Sequence, residues 1–342
     1  MRNVKIAIVG AGTWGEAHAS IYREHPVAEV AAICDLDSAR AERLAKAFGI
    51  SSVYTDYAKM LAECDCEAVA IVTPDFLHRD IAIACAKAGK HMLIEKPLAT
   101  TRRDVYDMVE AIESSGVRAM VDLHNRWSPP FNSVKRILSS GRLGKPVSSY
   151  FRLNDTIFVP TEYLSWAERS SVLWFLGSHS LDTLRWLVDD EIVEIYAVKH
   201  EGVLKNLGVD VPDVYQSTLK FRKGSIAQME NGWVTPEGNP SINDIKSNIV
   251  CEKGKIDIDA SNHNLVQVTD DKRMDTVDVL VRNSVFDSCK GFAYESIRSF
   301  VDCLASGADF HVSIKDSANT SLAILSIIES AEKGIPVRPE VI

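Results

Sequence analysis

Three glycines near the start of the chain, Gly10, Gly12 and Gly15, stand at G-x-G-x-x-G spacing within Gly10-Ala11-Gly12-Thr13-Trp14-Gly15. That spacing suits a ligand carrying phosphates. The first glycine permits a tight turn, the second lets a pyrophosphate approach the backbone, and the third lets a helix pack close to a strand. The phosphates then lie on the positive end of the helix. Gly10, Gly12, Thr13 and Trp14 are therefore candidate dinucleotide-binding residues. Asp35 follows Gly15 by about twenty positions, where a carboxylate accepts hydrogen bonds from an adenosine ribose and repels a 2′-phosphate. This favours NAD over NADP, although Arg40 shortly afterwards leaves NADP open. The plainer alternative is a structural glycine turn, with Asp35 and Asp37 as turn or helix-cap residues.

Glu95-Lys96-Pro97 directly follows a short apolar run. A lysine placed there and held by a proline projects into a crevice with little freedom. Its ammonium can hydrogen-bond a substrate hydroxyl and stabilise the oxygen as negative charge develops during hydride transfer. Glu95 would hold Lys96 or contact the cofactor. Thr73-Pro74-Asp75-Phe76-Leu77-His78 follows another apolar run, which Pro74 stops. The chain then turns where a nicotinamide ribose would lie, making Thr73, Pro74 and His78 further cofactor candidates. Asp75 equally suits a helix N-cap, and His78 suits packing or capping.

Such groups need strand ends to stand on. Apolar runs predict strands over 4–9, 28–34, 68–72, 91–94 and 117–123. Between them, helical periodicity and capping signals predict helices over 16–24, 38–48, 57–62, 76–88 and 102–114. Alternation of this kind means a parallel doubly wound sheet, with ligands outside the carboxyl ends of the strands.

With Cys34-Asp35 and the motifs above, the chain resembles the Gfo/Idh/MocA family of NAD(P)-dependent sugar and cyclitol oxidoreductases, inositol dehydrogenases among them. The E-K-P tripeptide in this position is the specific part. The resemblance implies that Lys96 is catalytic and that the Lys96–Pro97 bond can be cis. It extends to Asn125-Arg126-Trp127, which looks like the family's N-R-aromatic segment and implies that Asn125 and Arg126 bind polyol oxygens. A helix expected over 172–188 matches the family's G-x-H-x-x-D pattern at Gly177, His179 and Asp182. By resemblance His179 takes the substrate hydroxyl proton, and an unperturbed imidazole titrates in the right range. Relatives carry an aspartate one helical turn before that histidine; this chain has Phe175. Phe175 would stack on a sugar face, leaving Asp182 or another segment to orient His179, unless Asp182 instead pairs with Arg185 on the helix surface. Otherwise His179 is an ordinary helix histidine.

The expected fold class is α/β: an N-terminal doubly wound Rossmann domain over 1–123 and an α+β substrate and oligomerisation domain over 124–342. The second domain should carry an open, mainly antiparallel sheet, its last helix free to pack back on the first domain. Strands are expected at 147–153, 192–198, 214–221, 225–233, 245–251, 255–259, 265–268 and 276–279, with closing helices at 293–306 and 313–333. Residues 154–171 read as a long loop whose Tyr163 and Trp166 are candidates for sugar stacking, with Trp233 a weaker one.

The 342 residues suffice for two cores, and 46% hydrophobic with 25% charged residues is ordinary for a soluble globular protein. A net charge of −9 argues against nucleic acid or an anionic membrane surface as partner. There is no membrane-spanning run and no signal pattern, and seven scattered cysteines read as free thiols in a reducing cytoplasm. The sequence shows no cluster with metal-ligand spacing. Together these features predict a cytoplasmic NAD(P)-dependent dehydrogenase of sugars or cyclitols, homodimeric or homotetrameric by resemblance. Two other readings are an NAD-assisted glycoside hydrolase of the same family and a non-catalytic sugar- or nucleotide-sensing protein.

Overall fold

The structure is a computed structural model that describes residues 2–261, 265–272 and 274–342. Contacts divide the chain into two units, one formed by residues 1–124 with 281–318 and the other by 125–280 with 319–342.

The first unit opens with β1 (Val4–Val9), α1 (Thr13–Glu24), β2 (Ala28–Cys34), α2 (Ser38–Phe48), β3 (Val53–Tyr54) and α3 (Tyr57–Glu63). It continues with β4 (Ala68–Ile71), α4 (His78–Lys87), β5 (His91–Ile94), α5 (Arg102–Ser115) and β6 (Ala119–Val121). The sheet runs β3-β2-β1-β4-β5-β6 with every pairing parallel. Strands β4 and β6 are buried along their whole length, as expected of a sheet covered on both faces. Local chemistry punctuates the helices. Asp37 accepts the Arg40 N–H at 3.1 Å to cap α2, and Thr101 accepts the Asp104 N–H at 3.1 Å to cap α5. Strand order reverses between β1 and β4, so β1, β4 and β5 deliver Gly10, Thr73 and Glu95 around one switch point.

The second unit holds α6 (Pro129–Ser139), β7 (Pro146–Thr156), α7 (Ser178–Val188), β8 (Ile192–His200) and α8 (Val203–Asn206). After these come β9 (Val214–Phe221), β10 (Ile226–Thr235), β11 (Asn243–Cys251) and β12 (Gly254–Asp259). The sheet order is β12-β11-β7-β10-β9-β8, antiparallel except for β7 with β10. Alternation sends Phe151, Leu153, Leu219 and Met229 inward to a core shared with Leu181, Leu184 and Leu187 of α7. Two small hairpins pair β13 (Gln267–Thr269) with β14 (Met274–Thr276) and β15 (Asn283–Val285) with β16 (Ser288–Lys290).

The chain then forms α9 (Phe292–Ser306) and α10 (Ile314–Lys333). The sequence assigns 124–342 to the second domain and lets only its last helix pack back on the first, whereas α10 beyond Ala318 lies in the second unit and α9 in the first. Ile297, Phe300 and Val301 are fully buried there, and Arg298 pairs with Glu24 of α1 at 3.2 Å.

Two local readings also change. Residues 154–171 are not one loop: β7 runs on to Thr156, a π-helical turn covers Val159–Tyr163, and a 3-10 turn covers Ala167–Arg169. The helix expected over 172–188 starts as a π-helical turn, Leu173–Gly177, and becomes α-helical only at Ser178. A Cβ at Gly177 would crowd the Leu173 side chain at 3.1 Å and Asn231 Oδ1 at 3.4 Å, so glycine lets this turn lie close to β10.

Candidate active site

In the first unit the three glycines serve three separate needs. Gly10 has φ 110°, and a Cβ on it would run into the Val72 carbonyl. A Cβ on Gly15 would strike the Gly10 carbonyl, so the α1 backbone sits directly on the β1 turn. Gly12 is different: a Cβ there would meet nothing within 4 Å, and the residue is exposed at the start of α1. That open face is where phosphate oxygens can reach main-chain N–H groups. Asp35 uses Oδ2 to accept the Ala11 N–H at 2.7 Å and Oδ1 to accept the Asp37 N–H at 2.9 Å. Each oxygen keeps a lone pair for a ribose hydroxyl. Arg40 lies 3.9 Å from the Asp37 carboxylate. The Thr73 hydroxyl is buried with no hydrogen-bond partner among the described residues, an acceptor and donor left for a ligand. Trp14 lies 6.2 Å from the His124 ring and carries the Arg282 guanidinium 5.3 Å from its own. An open glycine at a helix N-terminus, an orphaned hydroxyl and a carboxylate with a lone pair left on each oxygen together fit a nicotinamide dinucleotide.

Lys96 follows β5, and its bond to Pro97 is cis. The Glu95 carboxylate turns inward to His18 of α1, with Nε2 to Oε1 at 3.1 Å, while His18 Nδ1 meets the Tyr22 hydroxyl at 3.0 Å. Asp122, fully buried after β6, completes a group whose ligating atoms lie within 4.8 Å of one another: His18, Glu95 and Asp122. No spacing in the sequence announced this cluster, because its members come from three separate strand–helix units. Burial pushes the Asp122 carboxyl up, but His124, Ser296 and His18 outweigh it and hold the group below its usual range. Burial, then the Asp122 and Glu95 charges, push the Tyr22 phenol well up. The sequence offers His78 to the cofactor; the structure buries it fully, with Nδ1 2.9 Å from the Pro97 carbonyl oxygen and Nε2 2.9 Å from that of Thr73.

The second unit gathers Asn125, Arg126, His179 and Asp182. Asn125 Nδ2 donates to Thr183 Oγ1 at 3.1 Å, and that hydroxyl donates to the His179 carbonyl at 2.6 Å. Arg126 forks onto Asp182, Nη2 to Oδ1 at 2.6 Å and Nε to Oδ2 at 3.0 Å, with both side chains buried. This pair adds a partner for Asp182 that the sequence does not suggest. Asp182 is engaged by Arg126, and Arg185 pairs with Glu191 at 2.7 Å. The guanidinium thereby ties Arg126 to α7. His179 is 7% exposed. Phe175 lies 5.9 Å from the Trp233 ring, and Trp233 is fully buried, which makes it a core residue and not a stacking platform. Tyr163 is 43% exposed, 6.4 Å from Phe158, while Trp166 packs against the core.

Residues 4–123 match the family described as "Oxidoreductase family, NAD-binding Rossmann fold", and 131–257 match the "GFO/IDH/MocA C-terminal domain". The chain is 35% identical over 192 residues to a D-apiose dehydrogenase from Paraburkholderia graminis, covering 56% of this chain and 51% of that protein. It thus spans about half the length of that curated relative. With inositol 2-dehydrogenase 2 of Saccharopolyspora erythraea it shares 30% identity over 263 residues, 75% of this chain and 73% of the other. A crystal structure of scyllo-inositol dehydrogenase from Lactobacillus casei with bound NAD(H) and scyllo-inositol has the same fold, with TM-score 0.84 and 20% identity over 98% and 99% of the two chains. The chain belongs to the Gfo/Idh/MocA family of oxidoreductases.

Proposed function

We propose that this protein is an NAD-dependent dehydrogenase acting on a secondary alcohol of a sugar, cyclitol or sugar acid. The observation that carries the proposal is Lys96, which follows β5 with a cis bond to Pro97, in the same unit as a glycine loop and an Asp35 carboxylate that suit NAD. Bound NAD supplies the hydride acceptor. Lys96 donates a hydrogen bond to the hydroxyl oxygen and stabilises it as charge builds. By family resemblance His179 takes the hydroxyl proton, and Asn125, Tyr163, Trp166 and Phe175 shape the sugar pocket. Asp35 favours NAD over NADP.

Family membership, the curated relatives and the retained lysine support the dehydrogenase over a sensor. Seven free cysteines support a reducing, cytoplasmic setting. A homo-oligomer is supported by the outer face of the second sheet, where Tyr196, Val198, Ile226 and Val250 are 41–50% exposed. Sedimentation of the purified chain would show a dimer or tetramer, and a monomer at all concentrations would reject it.

Absorbance at the reduced-nicotinamide band, with NAD or NADP against inositols, aldoses and sugar lactones, tests the activity. Accumulating NADH with one polyol is expected. NAD binding without NADH accumulation would point to the hydrolase or the sensor. Lys96→Ala should lower kcat by about 10²–10³-fold and leave the NAD dissociation constant nearly unchanged; intact turnover would remove Lys96 from the mechanism.

A further inference from the structure

The residues on either side of Lys96 are each tied to a buried histidine, and the two histidines come from different helices. On the N-terminal side His18 of α1, fully buried, holds the Glu95 carboxylate at 3.1 Å through Nε2. On the C-terminal side His78 of α4, also fully buried, meets the Pro97 carbonyl at 2.9 Å through Nδ1. The other nitrogen of His78 faces the Thr73 carbonyl at 2.9 Å, so one ring joins the turn after β4 to the turn after β5.

We infer that His18 and His78 are positioning residues for Lys96, and that His78 also sets the Thr73 turn for the cofactor. The inference rests on the proposed role of Lys96. A flexible four-carbon stem can deliver its ammonium to one point only if its own Cα is fixed. Here that fixing is by hydrogen bond on both flanks. A carbonyl only accepts, so the His78 ring is the donor wherever it bonds either one. Glu95 likewise accepts from His18. Neither imidazole is needed to touch substrate or cofactor; each acts through the backbone that carries Lys96.

Asparagine and glutamine separate the bonds, since an asparagine amide falls near the Nδ1 position of histidine and a glutamine amide near Nε2. His78→Asn keeps the donor to Pro97 and loses the one to Thr73; His78→Gln does the reverse. The expected result is a split: His78→Gln lowers kcat on the order of ten- to a hundredfold with KM for NAD little changed. His78→Asn should raise KM for NAD and keep kcat within about threefold. At position 18 the order inverts, because Glu95 is met by Nε2: His18→Gln keeps kcat and His18→Asn loses it. All four are assayed as the full chain with NAD and the polyol that gives NADH, alongside melting temperature. Equal kcat for Asn and Gln at both sites, or losses that follow melting temperature alone, would overturn the inference. Lys96→Ala in the same assay separates the failures. If it retains turnover, the role of Lys96 itself is wrong; if it is inactive while the histidine variants show no split, only the positioning is wrong.

Discussion

Asp35 uses one carboxylate to hold the glycine loop through Ala11 and the turn before α2 through Asp37. Asp35→Ala should therefore raise KM for NAD by tenfold or more, on the scale of one lost charge-assisted hydrogen bond at about 1.5–3 kcal/mol, and raise that for NADP less. Equal losses for the two cofactors would show that the carboxylate serves the loop and not the ribose. The Arg126–Asp182 fork belongs to the same scale. Asp182→Asn removes the charge that meets a buried guanidinium and should destabilise the protein by about 3–5 kcal/mol, read as a loss of denaturant midpoint. The glycines, Asp35 and Lys96 could be read from the sequence because their chemistry is local: each is defined by neighbours along the chain. His18, Asp122 and the Arg126–Asp182 pair could not. A histidine in α1 carries no mark of the glutamate after β5 that it will meet, and Asp182 sits as close in sequence to Arg185 as to any base.

Among the elements, Gly12 and Gly15 make opposite predictions. Gly15→Ala forces α1 off the β1 turn and should lower the melting temperature sharply. Gly12→Ala should fold normally, because its new methyl meets open space, yet weaken NAD binding where the pyrophosphate needs that space. Calorimetry with and without NAD distinguishes them. At α8 the fully buried Asp213 accepts the Val203 N–H at 2.9 Å and the Leu204 N–H at 2.7 Å, with His200 at 2.8 Å. Burial pushes its carboxyl up, but these three donors outweigh it and hold the group below its ordinary 3.8. The stabilisation is thus complete above pH 3.8 and fades as pH falls through the lower folded value. Asp213→Asn should cost stability at neutral pH and progressively less in acid. Most strand positions followed from apolar runs and turn residues, with β9 placed to the residue. By contrast, β3 and the β15–β16 hairpin were not foreseen, and the strand expected at 276–279 is β14, Met274–Thr276. The π-helical turn at Leu173–Gly177 did not follow, since residues 172–177 are apolar on every side and a run without a polar face shows no period.

At the scale of the whole molecule, the first unit is not a continuous stretch of chain. Its glycine loop, sheet and strand-end residues lie before residue 124, while α9 belongs to residues 281–318. A fragment ending at residue 124 would leave exposed the surface that Ile297, Phe300 and Val301 cover, and strip Glu24 of Arg298. Such a fragment should be far less stable than the same stretch linked to 281–318, and urea titration monitored by circular dichroism would compare them. Legibility failed here for a related reason: residues 293–306 read correctly as helix, but nothing in such a pattern states which sheet the helix is meant to cover.

That interleaving has a temporal side. A ribosome releases the Rossmann strands first and α9 only after residue 281 has been made. At roughly 5–20 residues per second, the interval is on the order of ten seconds. Throughout it, the apolar side of β1 and α1 stands open to chaperones or to neighbouring nascent chains, and dinucleotide captured early by the glycine loop would brace that half-built sheet against them.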